Sequence, residues 1–145
     1  MNNKERRLGA LEYASRVLKM ETVVYLFTGF LEAGKTSFIA ETMKDLNFND
    51  GKRRYLVLQC EEGVEELDPT DFGENVCFAT FESEDRLTPD RLSALKKRNH
   101  ADVLVVEYNG MWLLNDLYSA LPPSWTIYQE MLFIDSTTIE SYNTN

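Results

Sequence analysis

The sequence predicts an α/β fold: a three-layer sandwich whose mostly parallel sheet, of about five strands, carries helices on both faces. Short apolar, β-branched runs alternate with segments of helical spacing along most of the chain. Those runs stay apolar from end to end, as expected of parallel strands covered on both sides. With 145 residues, 43% of them hydrophobic, and a mean hydropathy of −0.35, the chain suits about one domain with a core of its own.

The elements follow in order. Residues 1–20 are rich in charge, with Leu8, Leu11, Val17 and Leu18 loosely at helical spacing. They are expected to form an N-terminal helix or a frayed extension ahead of a domain spanning 21–145. Thr22-Val23-Val24-Tyr25-Leu26-Phe27 reads as a first strand, and Phe38, Ile39, Met43 and Leu46 mark a helix after it. Tyr55-Leu56-Val57-Leu58 makes a second strand, entered from a Gly51-Lys52-Arg53-Arg54 turn, and Val76 to Phe81 a third. The next helix has a clear start: Thr88 as N-cap, Pro89 at the first helical position, and Leu87 placed to staple onto Leu92. It is expected to run to about Asn99 with Leu92 and Leu95 inward. Asp102-Val103-Leu104-Val105-Val106 is a fourth strand. Leu114, Leu117 and Leu121 mark a helix stopped by Pro122-Pro123, and Met131-Leu132-Phe133-Ile134 a fifth strand. Trp112 and Trp125 are assigned to the core.

Between the first strand and first helix stands Gly29-Phe30-Leu31-Glu32-Ala33-Gly34-Lys35-Thr36, a complete G-x-x-x-x-G-K-T phosphate-binding loop in the strand–loop–helix frame it requires. Gly29 and Gly34 let the backbone bend and approach phosphate without a Cβ in the way. The amides of Phe30, Leu31, Glu32 and Ala33, and those onward through Ser37 into the helix N-terminus, point partial positive charge at an anion. Lys35 reaches the outer phosphates, and the Thr36 hydroxyl suits Mg²⁺, a hard cation that takes oxygen ligands. The fold expected is therefore of the P-loop NTPase type, binding GTP or ATP with Mg²⁺.

In such sheets ligands sit at the carboxyl ends of the strands. After the fourth strand comes Glu107-Tyr108-Asn109-Gly110. Glu107 stands where a Walker B acid would hold Mg²⁺, and Gly110 where a backbone amide would sense the γ-phosphate. After the second strand, the acidic Cys60-Glu61-Glu62-Gly63-Val64-Glu65-Glu66 is either a solvated loop or a switch segment placing Glu61 or Glu62 near the metal or the attacking water. After the fifth, Asp135-Ser136-Thr137-Thr138 is open to a pocket-lining or an ordinary loop role.

Composition narrows the partners. A net charge of −9 argues against a nucleic-acid surface, which needs clustered Lys and Arg. No apolar run approaches the roughly 20 residues of a membrane helix, and Glu12, Arg16 and Lys19 interrupt any export signal behind Arg6-Arg7. Two cysteines, Cys60 and Cys77, are too few for a disulfide scaffold or a zinc site, so a cytoplasmic setting is expected. His100 is the only histidine and sits near a helix end; no Ser/His/Asp or Cys/His set can be assembled around it.

From Val24 to Thr36 the chain resembles the opening of CobW-like GTPases, relatives of the HypB and UreG metallochaperones, which read T-G-F-L-G-A-G-K-T. That family carries a glutamate in an E-x-x-G motif instead of the usual Walker B aspartate, which matches Glu107 and Gly110. Glu61-Glu62-Gly63 looks like a degenerate form of its E-N-E-F-G segment, and Ile134-Asp135-Ser136 resembles its Val-Asp-Ala strand end. The likeness spans roughly Thr22 to Thr138. The chain departs from the family in lacking the Cys-x-Cys-Cys metal motif and the N/T-K-x-D guanine-recognition motif. Five strands and an early stop are expected to represent a C-terminally truncated GTPase domain. The resemblance implies a Mg²⁺-dependent GTP hydrolase in which Lys35, Glu107 and Glu62 serve the chemistry. It also implies a conformational switch or metallochaperone-related role read by a protein partner or effector. The P-loop alone is shared by two other readings, an ATP-dependent small-molecule kinase and a nucleotide-binding module without catalysis.

Overall fold

The structure, a computed structural model, describes residues 22–29, 34–60, 67–134 and 139–143. In chain order the elements are β1 (Thr22–Gly29), α1 (Lys35–Lys44), β2 (Tyr55–Cys60), β3 (Val76–Thr80), α2 (Pro89–Asn99), β4 (Val103–Tyr108), α3 (Leu114–Ala120), β5 (Trp125–Phe133) and β6 (Ile139–Asn143). They form one sheet in the order β3-β2-β4-β1-β5-β6. The first five strands are parallel, and β6 returns antiparallel along β5. The expected α/β sandwich is present.

Helices cover both faces because the crossovers run in opposite directions. From β1 the chain passes over β4 to reach β2, then returns from β3 to β4 and on to β5. Right-handed crossovers in opposite directions lie on opposite faces. Ile39 and Met43 of α1 accordingly pack with Phe27, Val57, Val105 and Phe133. Leu92 of α2 and Leu117 and Ala120 of α3 pack with Leu26, Leu58, Leu104 and Val106 on the other side. Strand β4 lies between β1 and β2, with Val105 registered against both Tyr25 and Val57. All its residues are buried, and each apolar side chain withdrawn this way contributes about 1.5–3 kcal/mol.

The second helix starts as its sequence demands. Thr88 Oγ1 accepts the Arg91 N–H at 3.2 Å, Pro89 opens the helix, and Leu87 and Leu92 are buried in the same cluster. Such a cap is worth about 1 kcal/mol. Three expectations need correction. Leu46 is neither helical nor inward: α1 ends at Lys44, and Leu46 is 79% exposed in the following turn. The fifth strand begins six residues earlier than its most apolar stretch, at Trp125, and ends at Phe133, leaving Ile134 exposed. The antiparallel β6 was not expected at all. Trp125 is buried in the core and Trp112 packs against it half-buried. The N-terminal extension (1–20) lies outside the described residues.

Candidate nucleotide site

Alternation along the strands brings the polar groups together. On β4, Val103, Val105 and Glu107 point to the α1 face; on β2, Tyr55 and Val57 do the same. Glu107 therefore emerges at the carboxyl end of β4, on the face where α1 begins, and is fully buried there. Thr36, in the first turn of α1, donates its hydroxyl hydrogen to Glu107 Oε1 at 2.5 Å. The other carboxylate oxygen, Oε2, accepts from Gln59 Nε2 at 3.1 Å. Gln59 is the register partner of Glu107 across the β2–β4 ladder and is itself buried.

Lys35 is also fully buried. Its Nζ donates to the carbonyl of Gly29 at 2.5 Å and to that of Tyr108 at 3.2 Å. The ammonium thus bridges the carboxyl ends of the adjacent strands β1 and β4. The Gly110 N–H adds a 2.9 Å bond to the same Gly29 carbonyl, and the Asn109 N–H reaches the Cys60 carbonyl at 2.9 Å, tying the E-x-x-G turn to β1 and β2.

Both motif glycines have a structural reason. Gly29 sits at φ 128°, and a Cβ there would stand 2.1 Å from the Phe133 carbonyl oxygen on β5. Gly34 caps α1 at φ 86° with no side-chain hydrogen bond to the helix end. An L side chain is strained in either conformation. The first turn of α1 carries no acidic residue of its own; the carboxylate that meets its N-terminal field is Glu107, from β4.

The sequence singled out Gly29, Gly34, Lys35, Thr36, Glu107 and Gly110, and the structure gathers all six at one end of the sheet. Ser37 lies in the same helical turn with its side chain exposed. Phe30, Leu31, Glu32 and Ala33, Glu61 and Glu62, and Asp135 to Thr138 lie outside the described residues. Gln59 was missed, although the signal was there: a polar residue in an apolar strand, in phase with Tyr55 and Val57. The Tyr108 carbonyl, as an acceptor for Lys35, had no sequence signal.

Other candidates stand apart. Cys77 pairs in register with Leu56, four positions from Cys60, so about 13 Å of strand separates the two cysteines along the sheet. Neither is in a disulfide. His100 is exposed at the C-terminus of α2, in a left-handed conformation. Arg53 lies over the Tyr55 ring, and Arg54 bonds the Asn99 carbonyl and Cys77 Sγ, all at the sheet's amino end, away from Lys35.

The donor set fits Mg²⁺. Thr36 Oγ1 and Glu107 Oε1 are hard oxygens side by side at a helix N-terminus, as a cation shared with phosphate oxygens and water requires. Among the described residues no cluster of three or more His, Cys, Asp or Glu side chains is placed to hold a metal, and no helix is long and apolar enough to cross a membrane. Comparison of the chain with family models, curated proteins and solved structures returned no match.

Proposed function

We propose that this chain is a Mg²⁺-dependent nucleotide-binding protein and a GTP hydrolase of the CobW-like kind, acting as a conformational switch for a protein partner in the cytoplasm. One observation carries the reading: Lys35, Thr36 and Glu107 converge at the carboxyl end of β1 and β4, where the α1 N-terminus also points. A buried lysine held by two carbonyls and a buried glutamate held by a hydroxyl and an amide are poor choices for stability alone, since apolar side chains would fill the same space without desolvation. They suit a site that must receive a polyanion and its counter-ion.

Each residue has a role in that reading. Lys35 directs positive charge at the outer phosphates, and the α1 amides add their field from the same side. Thr36 and Glu107 would hold Mg²⁺, which when bound neutralises charge on the β- and γ-phosphates. Gly110, bonded to the carbonyl from which the P-loop departs, ties the loop that follows to any movement of Gly29. The preference for guanine rests on the resemblance to CobW-like proteins.

Titration with fluorescent GTP and ATP analogues, with and without Mg²⁺, tests this reading. Binding is expected to be Mg²⁺-dependent, weaker but measurable in chelator, and to favour GTP. Lys35→Ala should weaken it by roughly 10- to 100-fold, the worth of a charge-assisted hydrogen bond. A thermal melt of the variant separates lost binding from lost folding. Preference for ATP, with phosphate transfer to an acceptor, would move the assignment to a kinase. No binding of either nucleotide by the folded chain would overturn it.

A further inference from the structure

We infer that Gln59 is a positioning residue for the metal-binding carboxylate: it holds one oxygen of Glu107 so that the other is presented to Thr36 and to Mg²⁺. The inference rests on the nucleotide-site reading above and deepens it.

The geometry divides the two oxygens of Glu107 between two neighbours. Oε2 takes the Gln59 amide at 3.1 Å, and Oε1 takes the Thr36 hydroxyl at 2.5 Å. A carboxylate only accepts, so the amide must present Nε2 to it. Both side chains are almost wholly removed from water, Glu107 at 0% exposure and Gln59 at 2%. Water therefore cannot replace the amide as a partner for Oε2 without opening the site.

Gln59 is itself rigidly placed. Its backbone pairs with Glu107 on one side and Thr80 on the other, and its carbonyl accepts the Phe81 N–H at 2.9 Å. Its side chain thus departs from a point fixed by strands on both sides. A glutamate has three rotatable bonds, and anchoring Oε2 to such a point selects the rotamer that aims Oε1 at the P-loop helix. Partners that orient metal ligands in this way are commonly worth 10- to 100-fold in metal affinity.

Gln59→Met keeps the length of the side chain and removes the donor. Three quantities decide: the Mg²⁺ concentration that half-saturates nucleotide binding, the nucleotide affinity in chelator, and the melting temperature. The half-saturating Mg²⁺ should rise roughly 10- to 100-fold, while affinity in chelator stays as in the parent. In a Glu107→Gln background the Mg²⁺ effect of Gln59→Met should disappear, because both changes act on one contact. If Gln59→Met fails to fold, Gln59→Asn carries the same expectation, since its amide stops one methylene short. An unchanged Mg²⁺ requirement, an equal loss with and without Mg²⁺, or effects that simply add in the double variant would overturn the inference. A parent chain that binds no nucleotide, or ignores Mg²⁺, would instead overturn the reading on which it rests.

Discussion

The same two central strands present two different faces, and the contrast locates the chemistry. Toward α2 and α3 they show Leu56, Leu58 and Cys60 on β2 and Leu104, Val106 and Tyr108 on β4. The Tyr108 hydroxyl there bonds the Leu113 carbonyl at 2.8 Å, and burial pushes its proton affinity well above that of an ordinary phenol. Toward α1 the stripes are Tyr55, Val57 and Gln59 beside Val103, Val105 and Glu107. They begin with Tyr55, whose hydroxyl bonds the Phe48 carbonyl at 2.8 Å, beside Val103, and end in a buried amide and a buried carboxylate. The first face needs nothing beyond packing. The second buries an amide against a carboxylate at its carboxyl end, beside the start of α1, and such departures from local rules cluster at functional sites.

The largest expected effect lies on the first face. Leu104 is fully buried between strands and helices, and Leu104→Ala should destabilise the fold by about 2–5 kcal/mol through lost transfer energy and the cavity left behind. Urea unfolding measures it. Nucleotide affinity per folded molecule should be preserved; a parallel loss of affinity would mean that the two faces do not separate core from site.

Glu107→Gln is the corresponding change on the second face, with the stability effect reversed in importance. The new amide can still accept from Gln59, and it can donate to Thr36 once that hydroxyl rotates, so stability should move by no more than about 1 kcal/mol. Single-turnover GTP hydrolysis in Mg²⁺ should fall by at least about tenfold. Unchanged turnover would remove Glu107 from the site.

Much of this contrast was legible in the sequence, because the chemistry demands particular residue types at particular spacings. Gly29, Gly34, Lys35 and Thr36 stand out because they complete a G-x-x-x-x-G-K-T motif between a strand and a helix, and Glu107 because of its place at the end of a buried strand. Gln59 obeys the same alternation, yet a single amide carries no metal or acid–base signal to draw attention. Leu46 kept helical spacing, but turn chemistry won. The Asp45 N–H closes onto the Thr42 carbonyl, and the Asp45 carboxylate accepts the Asn47 N–H at 2.9 Å. In β5 the first half alternates, with exposed Thr126 and Tyr128 interleaved with buried Trp125 and half-buried Ile127 and Gln129, so only its apolar second half read as a buried parallel strand. For β6, five residues of mixed character offer no periodicity long enough to read.

The smallest expected effect sharpens the comparison at the loop that joins the two faces. The Glu84 carboxylate accepts the Leu113 N–H and faces Asp116 at the start of α3, so it links the loop after Gly110 to the α2/α3 side. Burial first, then the hydrogen bond and charge of Asp116, hold the Glu84 proton more tightly than usual, with the Leu113 N–H partly opposing. The folded chain therefore binds more protons than the unfolded one over the range between the two values. Its stability falls as pH rises through the folded value, and the difference vanishes below the unfolded one. Glu84→Gln removes the titrating group while keeping an acceptor for Leu113. The variant should melt above the parent at pH 7, and the gain should shrink to nothing as the pH is lowered through the carboxylate range. A gain that holds constant with pH would show that Glu84 and Asp116 do not repel across this loop, leaving it coupled to Gly29 on the site side alone.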